Sequence, residues 1–415
     1  MNLLLHELRL TLRSRLSAFA LVLLAVLAIA SVTAGMAEVA RQRATIARIQ
    51  PLQQQDVGAI AQWVTKSKDP GNAAYYTFHA TWDSPSNLAF AALGMRDVAP
   101  FLLRVRTLGL QAQLYEGETF NPELALPGRF DFAFVLVYLA PLFVIALFHD
   151  LMSGEREAGR LRMLEALPGG SRTLWRRRVA LKFMLLYAAL AIPFVCAALL
   201  SHAQATVVLG ILLIIAAYLA LWVAITLAVV RLQWSSVTNA ATLAACWLVL
   251  TLVLPTLAHI VINGAIPVNQ GVELTLAQRE NVHGAWELPR GETMATFYAR
   301  YPQWRDSPPL PGDFHWKWYF AFHQNGDDSV SEQVAAYRQG LQARDAWTAR
   351  VGWLLPGVGV QWLMAWLAET DLRAQLTYQD RIHDFHRRLR EFYYTYLFDD
   401  RPFGEADFAA APKWQ

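Results

Sequence analysis

Residues 130–148, FDFAFVLVYLAPLFVIALF, contain no charge beyond Asp131. At about 1.5 Å of rise per residue, such a run can cross a hydrocarbon core of about 30 Å. Polar sequence follows abruptly. In the loop 149–178, Arg156, Arg160, Arg162, Arg172, Arg176, Arg177 and Arg178 outnumber Asp150, Glu155, Glu157 and Glu165. A second apolar run begins at Val179. A basic loop clamped between two spans is retained on the cytoplasmic face, and each further run must then reverse sides.

That rule organises the rest of the chain. Residues 1–15 carry Leu4, Leu5, Leu8 and Leu12 on one helical face, with His6, Glu7, Arg9 and Arg13 on the other. They are expected to lie along the cytoplasmic interface as an amphipathic N-terminal helix. The first span covers 16–36; its apolar part is too long for a signal-peptide core. Residues 37–129 turn polar and form a first extracytoplasmic segment, whose opening helix is expected to stop near Pro51. In it, YYTFHATWDSPSN has strand-like and turn-like residues. Spans follow at 130–148, 179–200, 206–230 and 240–262, the third and fourth joined by SHAQA and the last holding Pro255.

The second extracytoplasmic segment is 263–415. A long amphipathic helix is expected after a cap at Ser329 or Ser331. The run near 351–370 is ambiguous, broken by Pro356, Gly357 and Gly359, and reads as an interfacial helix rather than a sixth span. The aromatic stretch 301–323 reads as core. The expectation is therefore an all-α polytopic membrane protein with five clear spans and two large, mainly helical extracytoplasmic segments.

Composition agrees with this division. The 415 residues are 55% hydrophobic and 17% charged, with a net charge of +3. Retention beside spans explains the arginines without nucleic acid. Cys196 and Cys246 both fall inside apolar runs, which excludes a disulfide framework outside the membrane.

In the loop, Glu155, Glu157 and Arg160 interleave with Leu161, Met163, Leu164 and Leu167 before Pro168-Gly169-Gly170. The pattern predicts a short helix with one apolar edge, a handle through which a soluble partner could move two spans together. The loop SGEREAGRLRMLEALPGGSRTLWRRRVALK resembles the one between the second and third spans of ABC-2 type transporter permeases. The chain is similar, more specifically, to the subgroup with a DUF3526 domain. The words that carry this are NPELALPGRFDFAFVLVYLAPL from Asn121, WSSVTNAATLAACWLVLTLVLPTL from Trp234, VELTLAQRENVHG from Val272 and FHRRLREFYY from Phe385. Two departures stand out. The usual Gly-Thr-Leu is here Gly159-Arg160-Leu161, which changes one surface contact. Members of the subgroup also generally end with a further span, so either the sequence is truncated or this member keeps five spans with its C-terminus outside.

The resemblance implies a permease subunit in a bacterial inner membrane, N-terminus cytoplasmic, paired with an identical or similar permease and with cytoplasmic ATPase subunits. The chain has no G-x-x-x-x-G-K-[ST] phosphate loop, so ATP hydrolysis is expected in the partner, with no cofactor here. Glu155, Glu157, Arg160, Leu161, Met163 and Leu164 are expected to form the ATPase-docking helix, with the two glutamates meeting basic ATPase residues. Arg176, Arg177 and Arg178 are expected to anchor membrane lipids. Two other readings compete. HDFH, with His383, Asp384 and His386, has i, i+3 spacing for two metal ligands of a membrane enzyme. A receptor or scaffold anchored by its spans is the other. The few ionisable groups near span ends, His149, Asp150 and His259, offer no evident ion relay.

Overall fold

The computed structural model describes residues 2–115, 129–166, 171–268, 271–312 and 314–415. Asn121–Gly128 and the expected stop at Pro168-Gly169-Gly170 lie outside them. Helix makes up 76% of the structure. Five helices are long and apolar enough to cross a membrane: Arg15–Val64, Phe132–Glu157, Arg172–Leu200, Ala205–Val230 and Ser236–Ala265. The protein is an all-α polytopic membrane protein.

The second span is the hub. Its apolar window is 67% buried inside the protein, against 17% to 33% for the other four. Its uniformly apolar sequence is what a helix surrounded by other helices requires. Phe132 stacks on Phe194 of the third span with ring centroids 5.3 Å apart. Two of the proline-bearing spans each contain one widened π turn, Val135–Leu139 before Pro141 and Val249–Val253 before Pro255. Proline cannot return a hydrogen bond to the preceding turn, so side chains supply donors there. Tyr218 Oη donates to the Val137 carbonyl at 2.9 Å, and Trp247 Nε1 to the Tyr138 carbonyl at 3.0 Å.

The first span does not end at the membrane. Helix Arg15–Ser67 runs for 53 residues, about 80 Å, and passes straight through Pro51. The expected stop fails because Pro51 is exposed, so its one freed carbonyl meets water, and because the helix beyond it is held from the side. Gln53 accepts from the Ala80 amide at 2.8 Å and donates to the Phe78 carbonyl at 2.5 Å. The helix closes at Lys68, left-handed at φ 51°.

Beyond the bundle lies a domain with an aromatic core. A two-stranded antiparallel ribbon, His79–Trp82 with Leu102–Val105, pairs His79 with Val105. Helices Arg290–Arg300, Trp316–Ser329, Ser331–Val351 and Leu372–Phe398 pack with it around Phe297, Phe320, Phe322, Tyr378, Phe385 and Tyr393, all buried. Of the aromatic stretch expected as core, Trp318, Phe320 and Phe322 are buried in it, Tyr301, Trp304, Trp316 and Tyr319 pack at its edge, and Phe314 is exposed. Neither Ser329 nor Ser331 caps the following helix; its N-cap is Val330, and the Ser331 hydroxyl donates backwards to the Asp328 carbonyl.

Two pieces bind this domain to the bundle. Residues Leu88 to Leu93 are buried, and all but Leu93 belong to the bundle core. Phe90 approaches so closely that a Cβ on Gly35 would lie 2.1 Å from its carbonyl oxygen. The ambiguous run forms helix Pro356–Leu367, only 12 residues and about 18 Å long, too short to cross. It packs against spans rather than lying free on a surface: Tyr138 Oη reaches Gln361 at 3.4 Å, and Met364 is fully buried in the bundle core.

A tethered loop as the candidate functional site

The second span ends at Phe148, and the charged loop begins with a short helix, Ser153–Glu157. The single helix expected from the sequence is two. Gly159 at φ +71° turns the chain before Leu161–Glu165, a conformation that costs other residues about 1–2 kcal/mol. The apolar edge points inward, with Leu161 and Leu164 packed against the bundle core. Met163 points the other way and is 65% exposed, beside exposed Arg162.

The charges hold the loop in place. Glu155 accepts from Arg178 at 2.9 Å and from Arg160 at 2.8 Å. Arg178 also pairs with Glu7 of the N-terminal helix at 3.0 Å and lies 5.4 Å from the Trp175 ring. Glu155 and Arg178 are each 17% exposed and Glu7 10%, so this is a half-buried network rather than a solvated surface pair. On the other side, Glu157 accepts from the Ser236 amide at 2.8 Å and hydroxyl at 3.0 Å, neutralising the start of helix Ser236–Leu248. Arg156 donates to the carbonyls of Gln233 and Trp234. Ser236 also reaches Ser153 at 2.8 Å, and Asn239 donates to the His149 carbonyl at 3.2 Å. Lys182 donates to the Leu147 carbonyl at 2.5 Å.

The loop is thus tied at once to the N-terminal helix, the third span and the fifth span. Between its two short helices and the bundle lies a cleft of about 580 Å³ lined by Arg156, Leu161, Arg162, Trp175 and Gln233. The expected site residues separate into two groups. Glu155, Glu157, Arg160 and Arg178 make contacts within the chain. Met163 and Arg176 remain exposed, with Arg177 half-buried. Glu7, Ser236 and Asn239 were not legible as loop partners, because Glu7 alone lies 171 positions from Arg178 and no local pattern links them.

The histidine pair of HDFH lies elsewhere, in the aromatic domain. His386 Nε2 sits 2.8 Å from the Arg106 carbonyl and 3.0 Å from that of Leu108, acceptors that require this nitrogen to carry the proton. Beside it, Arg390 donates to Asp327 at 2.8 Å and to Leu108 at 2.7 Å, while Asp327 also accepts from the Leu110 amide at 2.8 Å. Burial pushes the Asp327 carboxyl up, and Arg390 and the amides oppose that. His383 lines the adjoining cleft, with burial lowering its pKa to about 4. Among the described residues no three His, Cys, Asp or Glu side chains converge as a metal site.

A family model described as a domain of unknown function (DUF3526) matches residues 272–415, the stretch that contributes Asp327, His383, His386 and Arg390. No curated protein and no solved structure matches the chain.

Proposed function

We propose that this chain is the membrane-spanning permease subunit of an ABC transporter, moved by ATP hydrolysed in a separate ATPase. The observation that carries the reading is the tethering of the charged loop. A partner gripping Met163 and Arg162 pulls, through Glu155, Arg178 and Glu157, on the N-terminal helix, the third span and the fifth span together. A loop that merely joined two spans would need none of these ties. The excess of arginine in this loop supports a cytoplasmic side for it and for the N-terminus, and the reading puts the chain in a bacterial inner membrane. A second permease copy or homologue completes the translocation unit, and the cargo is unidentified.

The exposed residues, not the paired carboxylates, are the contact to test. Glu155→Lys and Glu157→Lys would break the loop's own ties and loosen it whether or not a partner exists. The decisive comparison is recovery of an ABC ATPase with the tagged chain from its native cells in mild detergent, for wild type and for Arg162→Glu with Met163→Asp. Recovery falls at least about ten-fold in the double variant if a pair of interface side chains is lost. ATPase recovery that ignores the double variant, or no ATPase with wild type, leaves the chain as a membrane-anchored receptor or scaffold.

A further inference from the structure

Helices Ser331–Val351 and Pro356–Leu367 form a hairpin with a bare apolar tip. Trp353 is 90% exposed there and Leu354 80%, more than any other large apolar side chain among the described residues. The two arms meet backbone to backbone, since a Cβ on Gly352 would lie 2.7 Å from the Gly359 Cα. No residue from 351 to 368 is charged. So much apolar surface on one turn marks a place of contact, and the neighbours of the hairpin fix what it meets.

The far end of the second arm is level with the start of the fourth span. Ser86 donates to the Ala368 carbonyl at 2.5 Å, and the adjacent Asn87 donates to the His202 carbonyl, in the turn between the third and fourth spans, at 3.2 Å. From that level the arm runs inward along the fourth span. Leu367 lies 3.6 Å from a Cβ built on Gly210, and the Tyr218 hydroxyl lies 3.7 Å from one built on Gly357. Tyr218 is about 20 Å from the start of its span at Ala205. The fifth span gives a second measure. Arg344 donates to the carbonyl of Ile266, just past the end of that span, at 2.9 Å, and Leu355 shares an apolar cluster with Leu254 and Ala258. Leu254 is about 16 Å inside the end at Ala265. Both spans therefore put the tip about 15–20 Å below the level at which the hairpin enters, near the middle of a hydrocarbon core of about 30 Å.

The hairpin meets the requirements of that depth. Amides in hydrocarbon have no water to bond, and those of Gly352, Trp353, Leu354 and Leu355 donate to the carbonyls of Thr348, Arg350 and Val351. Asp345, on the first arm, is 5% exposed and accepts from the Trp362 indole at 3.0 Å. Arg350 is the charge nearest the tip in sequence, about 9 Å along the helix from Arg344. Its guanidinium lies 4.8 Å from the centre of the Trp347 ring, one turn back toward the entry level. Helical side chains lean toward the N-terminus, here the entry side, so this charge reaches the lipid phosphates while its backbone stays below them. Trp347 and Trp366, each half exposed, lie nearer the entry level, where indoles favour the boundary with the headgroups.

We propose that these arms are a re-entrant hairpin whose tip meets lipid acyl chains through Trp353 and Leu354 at mid-bilayer depth, with Arg350 on the phosphates of the leaflet that it enters. Its apolar surface joins that of the fifth span, where Ile260 and Val261 are exposed. The hairpin depends on the membrane-spanning fold alone, so loss of the ATPase reading leaves it intact.

The test uses the full chain in lipid nanodiscs, with Cys196→Ala and Cys246→Ala, and one nitroxide label at Trp353→Cys or at Leu354→Cys. Collisions with oxygen, which concentrates in hydrocarbon, are compared with collisions with a polar nickel chelate, which hydrocarbon excludes. Leu213→Cys, on the exposed side of the fourth span, is the lipid reference, and Glu332→Cys, exposed at the start of the first arm, is the water reference. The oxygen-to-nickel ratio at both tip positions is expected to match that at Leu213 within about three-fold and to exceed that at Glu332 by at least about ten-fold. Should one tip variant misfold, the other carries the test. A ratio at the Glu332 level puts the tip in water and overturns the proposal. Few collisions with either reagent mean that protein covers the tip, which overturns it as well; spin–spin broadening then identifies the cover as a second copy of this chain.

Discussion

Arg390 and Asp327 are 7% and 5% exposed, and each is the other's charged partner in the aromatic core. Replacing Arg390 by Leu strands the Asp327 carboxylate, and breaking a buried pair in this way costs about 3–5 kcal/mol. The expected result is a fall of the domain's unfolding temperature by several degrees, with much of it recovered in Asp327→Asn plus Arg390→Leu. An unchanged temperature in the single variant would mean that the pair is hydrated. The buried imidazoles make a second prediction. Burial lowers His79 and His383 from 6.5 to about 4 and His323 to about 3. Between those values the unfolded chain takes up protons that the folded chain refuses, so stability falls as pH drops below 6.5. At pH 5 the deeply buried His79 alone accounts for roughly 2 kcal/mol. Thermal unfolding at pH 7.5 and pH 5 checks this, and His79→Leu should flatten the difference. The HDFH spacing was visible in the sequence, but its role was not. His386 spends its ring on carbonyls 280 and 278 positions away, and helical periodicity says nothing about such partners.

Among elements, the five apolar helices were legible because each is a long run without charge. What escaped was how neighbours change them. Pro51 reads as a stop, but lateral support from the strand ribbon carries the helix through it. Leu88 to Leu93 fall in the segment expected outside the membrane, yet they are buried against Gly35 and the third span. The π turns before Pro141 and Pro255 have no sequence signature beyond the prolines, and the donors at the first of them come from other spans. Tyr218→Phe removes the donor to the Val137 carbonyl and should cost about 1 kcal/mol. Reversible unfolding in nanodiscs measures it, and a neutral result would show that the carbonyl finds another donor once the hydroxyl is gone.

At the scale of the molecule, alternating hydropathy gave the number of spans and the division into membrane and polar segments. The loop's direction of contact was not available from it. Glu155 and Glu157 looked like outward charges because acidic residues usually are, and only the fold brings Arg178, Glu7 and Ser236 to them. The unbroken helix Arg15–Ser67 has a geometric consequence. With its near end joined to the N-terminal helix and its far part held against the strand ribbon, it acts as a pointer about 80 Å long. A swing of about 10° at its base sweeps its tip through about 14 Å, roughly the width of one helix with its side chains.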